Sequence, residues 1–344
     1  MNIIPNDEGG DWILNKFVEY QHEVPPVHYE IFKEYTKNKK LSLDDQIYLS
    51  WLMCNTYQEI TSLLILEEVP LEKDFSIKFN TWYKENKHRV VLGSSKKHMA
   101  YIERLENVMY WFEETFTSTP SKVIFTCMKS DNPSERTEEL KSFIRQCKEV
   151  GRFASDYFIE TLHLLQMNGY NDLKLGSIDT VDWDDGSNLT SGLFNVLNKP
   201  DLADKFDKGK MSKQELEDHK PELEETLLKI KNKINQKYDS NIDSVHFVPK
   251  LCSFRNLWKS NRYGGFHHDR QLGVLNKYLE VYPSKKELFE FIFKIRKEKF
   301  KSCLLGELNG WKGIRTERKK LWVKEGLTGI EPESIRNKLT EDWT

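Results

Sequence analysis

The sequence predicts a mainly α fold: a multi-helical body carrying a charged helical-hairpin insertion and few short strands. Three observations predict it. Apolar residues recur at helical spacing through the first half of the chain. Residues 200–240 are rich in Lys and Glu, nearly lack aromatics and keep a helical apolar stripe. Only 122–127 (KVIFTC) and 243–248 read as short strands, too few to build a large sheet.

A chain of 344 residues is long enough for a substantial core and for about two domains. Its nine Trp, 14 Tyr and 19 Phe are far more than a disordered chain carries. The composition divides it into a body over 1–199, an insertion over 200–242 and a C-terminal part over 243–344. The opening MNIIPNDEGGDWILNKF has neither the basic nor the apolar region of a secretory signal. The longest apolar run, Leu63–Leu66, is far too short for a bilayer, so no membrane partner is expected. Five dispersed cysteines without a C-x-x-C pair fit reduced thiols in a cytoplasm.

Taken in order, the first strong helix lies in LSLDDQIYLSWLMCNTYQEITSLLIL. Ser42 or Asp44 is its cap, and Ile47, Trp51, Cys54, Ile60, Leu63 and Leu64 follow at helical spacing. Lys97 to Phe116 repeats the pattern with Ile102, Leu105, Met109, Trp111 and Phe112 on one face. In EVGRFASDYFIETLHLLQ (149–166), Gly151 permits an unusual backbone angle ahead of a helix. The next feature is SIDTVDWDDGSN (177–188), whose aspartates fail the calcium-loop spacing: Ser187 and Leu193 stand where Gly and Glu are needed. Asp184-Asp185-Gly186 reads as a turn capping the helix around Leu189–Leu197, and leaves room for no cofactor beyond a magnesium-binding carboxylate pair. The insertion then offers a capping box at Ser212 and Glu215, followed by the stripe Leu223, Leu227, Ile230, Ile234 and Tyr238. It is expected as a hairpin on the surface.

Three stretches could carry chemistry. On α-helical geometry Arg152, Asp156, Glu160 and His163 share one narrow sector, opposite Phe158, Leu162 and Leu165. A cation, two carboxylates and an imidazole could bind an amine and accept its proton. An ordinary solvated face with i,i+4 ion pairs is the alternative, and the stripe alone favours it. In SNRYGGFHHDR (260–270), His267 and His268 are adjacent and diverge, so a metal site is the weakest reading. The residues suit an anion: Gly264 and Gly265 allow close backbone approach, and a helix starting near Asp269 points its positive end there. Arg262 and Arg270 each offer a planar fork, and Asp269 caps the helix or orients an arginine. A polar turn with a cap is the competing reading. Finally, residues 285–324 carry 13 Lys/Arg against 5 Asp/Glu, interleaved with Phe and Trp. Lys312, Arg315, Arg318, Lys319 and Lys320 are the expected phosphate contacts of a nucleic-acid surface, against a plain basic helix with its Trp residues buried.

Together these stretches resemble the alpha-glutamyl/putrescinyl thymine pyrophosphorylases, phage amino acid:DNA transferases that hypermodify thymine. The resemblance rests on Asp45 to Tyr57 with NKHRVVLGSSKKH (86–98), on GRFASDYFIETL (151–162) and on RYGGFHHDRQLGVLNKYLE (262–280). It implies displacement of pyrophosphate from pyrophosphorylated 5-hydroxymethyluracil in DNA by an amine, an amino acid or a polyamine, in the cytoplasm of an infected host. Gly151, Arg152, Phe153 and Asp156 match one motif, and Arg262, Tyr263, Asp269 and Arg270 the other. Under this resemblance Asp156 holds and deprotonates the amine, helped by Glu160 or His163. Arg262, Arg270 and the histidines steady the departing pyrophosphate, and Phe153 or Tyr263 stacks on the flipped base. The insertion and the acidic loop have no place in the family pattern. Two other functions compete: a glycosylase-like helical base-excising enzyme, though no helix-hairpin-helix signature is present, and a non-catalytic nucleic-acid-binding protein.

Overall fold

The computed structural model describes residues 14–15, 17–18, 27–92, 102–116, 119–167, 173–176, 187–239, 251 and 266–299. Among these the chain forms thirteen α-helices and no strand. None of the described helices is long and apolar enough to cross a membrane. Contacts sort the elements into two units, one of 26–178 with 274–299, the other from the described parts of 1–25 and 179–273.

The larger unit contains α1 (Val27–Lys39), α2 (Leu43–Thr56), α3 (Glu59–Glu68), α4 (Phe75–Asn86), α5 (Ile102–Phe116), α6 (Pro120–Cys127), α7 (Pro133–Ile144) and α8 (Arg152–Met167). The last part of α12 (Phe266–Val281) and all of α13 (Lys286–Lys299) complete it. Helix α2 is its hub, with every residue from Gln46 to Thr56 buried. It starts at a capping box: Ser42 Oγ accepts from the Asp45 N–H at 3.1 Å and Asp45 Oδ2 accepts from the Ser42 N–H at 3.2 Å. Trp51, fully buried, stacks on Trp111 at 5.4 Å and donates from Nε1 to the Val108 carbonyl at 3.2 Å.

The long helix expected from Ser42 to Leu66 is two helices. Tyr57 takes a left-handed conformation with φ 52°, and Thr56 Oγ1 accepts from the Gln58 N–H at 3.2 Å. Such a side-chain bond gives the backbone an alternative to the next helical turn, while the apolar spacing runs on unbroken across it. The expected strand at 122–127 is also overturned, because these residues form α6. Its buried positions Pro120, Ile124 and Met128 recur every four residues. No side chain at Thr119 caps this helix; Asp44 Oδ1, from α2, accepts from the Ser121 N–H at 2.7 Å instead. The second expected strand, 243–248, lies outside the described residues.

The smaller unit is built from α9 (Ser187–Val196), α10 (Pro200–Asp207) and α11 (Lys213–Tyr238). The capping box at Ser212 and Glu215 is present. Expectation and structure differ on the hairpin's place. Leu216, Leu223, Leu227, Ile230 and Ile234 are buried against Leu193, Phe194, Phe17 and Leu251, so α10 and α11 are core and not a surface appendage. Lys199–Glu222 at 2.6 Å and Lys205–Glu215 tie the two hairpin helices together outside that core. Gly192 on α9 faces the Leu251 side chain so closely that a Cβ there would stand 2.7 Å from it.

Candidate functional site

Helix α8 packs its apolar face, Phe158, Ile159 and Leu162, into the core of the larger unit, with the Phe158 ring edge-on to Trp51 at 5.8 Å. The turn leading into α8 is tied down from outside. Arg104 Nε donates to the Glu149 carbonyl at 3.0 Å, Arg104 Nη2 to Asn55 Oδ1 at 3.3 Å, and Asn107 Nδ2 to Glu149 Oε1 at 3.2 Å. Gly151 follows, exposed, with no atom within 4 Å of where a Cβ would sit and without the positive φ expected of it.

The polar face of α8 is not the solvated stripe that its spacing favours. Glu160 is only 6% exposed and accepts a hydrogen bond from the Tyr29 hydroxyl, a residue 131 positions away on α1. Asp156 faces α7, with Lys141 Nζ at 3.1 Å and Arg145 Nη2 at 3.7 Å. Arg145 also donates from Nε to Ser155 Oγ at 3.0 Å. The Tyr157 ring lies parallel to Tyr57 at 5.8 Å and its hydroxyl is 3.4 Å from His28 Nε2. His163, on the same helix, is half-buried. The side chains of Arg152 and Phe153 lie outside the described residues.

These surroundings give the two carboxylates different chemistry. Asp156 is charge-balanced by two cations of α7, which favours its ionised form. Glu160 is held by a phenol whose own ionisation is suppressed: burial, then the Glu160 charge, pushes the Tyr29 hydroxyl well above its usual range. Tyr29 therefore stays a donor throughout the physiological pH range. Beside this pair a cavity of about 10 Å³ opens between α1, α2 and α8, lined on its polar side by Tyr29, Lys33, Gln46, Ser50 and Thr161. That is room for about one water-sized group.

The second motif is placed only in part. Helix α12 begins at Phe266, so His267, His268, Asp269 and Arg270 occupy its first five positions. Asp269 is the fourth residue of the helix and cannot be its N-cap, a correction to the expected start. The side chains of these four, and Arg262, Tyr263, Gly264 and Gly265 entirely, lie outside the described residues. So do Lys312, Arg315, Arg318, Lys319 and Lys320, and the acidic stretch 177–186. Among the described residues no group of three or more His, Cys, Asp or Glu side chains is set to hold a metal. The buried thiols are poor nucleophiles: burial pushes Cys127 and Cys147 each up to about 12.

Sequence reasoning missed Tyr29, Lys141 and Arg145, the partners that define the site. Lys141 and Arg145 stand four apart on α7 and so share a face, which is the one local signal they carry. No protein-family profile, curated protein or solved structure matches the chain.

Proposed function

We propose that this chain is a DNA base-modifying transferase of the kind its motifs resemble, replacing pyrophosphate on pyrophosphorylated 5-hydroxymethyluracil with an amine. The observation that carries this reading is the burial and partnering of the GRFASDYFIETL face. A solvated stripe would spend Asp156 and Glu160 on exposed i,i+4 pairs worth about 0.2–0.5 kcal/mol each. Instead each is matched to a side chain from another helix, an arrangement that sets ionisation states and holds positions.

In the reaction the bond from the ring methylene to pyrophosphate oxygen breaks, a carbon–nitrogen bond forms at that methylene, and the amine gives up a proton. Pyrophosphate leaves with the bonding pair, and ring electrons assist its departure. Cations stabilise the charge it takes away. Arg262, Arg270, Arg152 and the histidines at 267 and 268 are the groups assigned to it, with Asp269 orienting an arginine. A carboxylate must receive the amine's proton. Asp156 was the residue the motif suggested, but its charge is already balanced by Lys141 and Arg145. Glu160, held by a neutral tyrosine, is better suited to that proton, and Asp156 to positioning the α7 cations. The basic residues 312–320 supply phosphate contacts along the DNA, and the target base leaves the stack to react.

The test uses DNA carrying the pyrophosphorylated base, with amine-dependent pyrophosphate release as the readout. Wild type should release pyrophosphate, and Glu160→Gln should lower the rate by about 100-fold or more, the usual weight of a general base. Asp156→Asn should lower it too, with DNA binding retained in both. Undiminished release by Glu160→Gln removes it from the mechanism, and no release from wild type with any amine defeats the reading.

A further inference from the structure

The cavity beside Tyr29 has a polar wall whose protons are already committed. Tyr29 donates to Glu160, Ser50 Oγ donates to the Gln46 carbonyl at 2.9 Å, and Thr161 Oγ1 donates to the Tyr157 carbonyl at 2.9 Å. The Gln46 side-chain nitrogen donates to the Leu41 carbonyl at 3.0 Å. A hydroxyl whose proton points elsewhere meets a guest as an acceptor. The wall therefore offers oxygen lone pairs, with the carboxylate of Glu160 one hydrogen bond behind it.

A guest must then bring the protons. A primary ammonium brings three, carries the charge that Glu160 attracts, and matches a cavity of about 10 Å³ in size. Ser50, Thr161, Tyr29 and Gln46 are buried, whereas Lys33, which lines the same cavity, is exposed and marks its mouth. A cation at the mouth repels the second charge of a polyamine and attracts a carboxylate. We propose that this slot binds a small α-amino acid, its ammonium group on the oxygens of Tyr29, Ser50 and Thr161 and its carboxylate at Lys33. That this guest is the amine donor, with amino acids selected over polyamines, rests on the transferase reading. The site itself rests on the slot.

The experiment is calorimetric titration of the full chain, without DNA, using glycine, methylammonium and putrescine. Glycine should bind more tightly than putrescine. Lys33→Ala, an exposed change that leaves the fold intact, should weaken glycine by about tenfold and leave methylammonium unweakened. Thr161→Val and Ser50→Ala should weaken both. Failure of glycine and methylammonium to bind at about 10 mM means the slot holds only water and overturns the proposal. So does tighter binding of putrescine, or glycine binding that Lys33→Ala and Thr161→Val leave unchanged. Because no DNA is present, these outcomes are independent of transfer. Conversely, active transfer whose donor KM ignores Lys33→Ala keeps the transferase and removes this site.

Discussion

Asp156 and Glu160 lie one turn apart on α8, and their surroundings share nothing: two cations of α7 for the first, a buried phenol of α1 for the second. A helical wheel places both residues on one face but cannot say what that face meets, since Tyr29 is 131 positions away. Burial also sets what each substitution costs. Tyr29→Phe takes the hydrogen bond from a carboxylate 6% exposed, and urea unfolding should register a loss of about 1–3 kcal/mol. Gly151→Ala, with open space at its Cβ and no positive φ, should stay within about 0.5 kcal/mol of wild type. Gly176→Ala is the contrasting case, because its Cβ would stand 2.5 Å from the Ser134 backbone nitrogen and 2.6 Å from the Pro133 carbonyl carbon. It should be clearly destabilised in the same measurement. The glycine of the recognised motif was legible in the sequence, and the glycine that packing requires was not.

Helices were the most legible level of structure. The capping boxes at Ser212 and Ser42 were both written locally, since a residue and its partner three positions on suffice to specify them. Where the deciding contact came from elsewhere, the reading failed. Helix α6 has β-branched residues at its centre and no cap of its own, and it is capped by Asp44 from α2. Its fourfold burial pattern predicts that Ile124→Ala costs about 2–5 kcal/mol while its half-buried neighbour Val123→Ala costs clearly less. Equal costs at the two positions would contradict the helical packing. The break at Tyr57 was hidden for a related reason. Helices α2 and α3 are buried nearly all round, so apolar residues continue through the break and periodicity carries no stop signal.

At the scale of the whole chain, composition and periodicity gave a mainly helical protein, and the contacts between helices decide the rest. The hairpin over 200–240 reads as an appendage because it is so highly charged, yet its single apolar stripe is most of a core. Charge between elements also makes stability depend on pH. Burial works to raise the Glu67 carboxyl, but the Tyr35 hydroxyl, Lys39 and Lys285 outweigh it and hold it below its usual range. A depressed carboxyl contributes stability above the unfolded value, about 4, and loses it as pH falls through the folded value. Lys285→Met should therefore reduce the fall in urea midpoint between about pH 5 and pH 3, compared with wild type. The central claim concerns chemistry on DNA, and mass spectrometry of nucleosides tests it most directly. DNA bearing pyrophosphorylated 5-hydroxymethyluracil is incubated with the protein and a pool of amino acids and polyamines, then digested to nucleosides. A new thymidine derivative with the mass of an added amino acid, formed as pyrophosphate is released, is the predicted result. Unchanged nucleosides from DNA that the protein nevertheless binds, with every donor present and the protein folded, would contradict it.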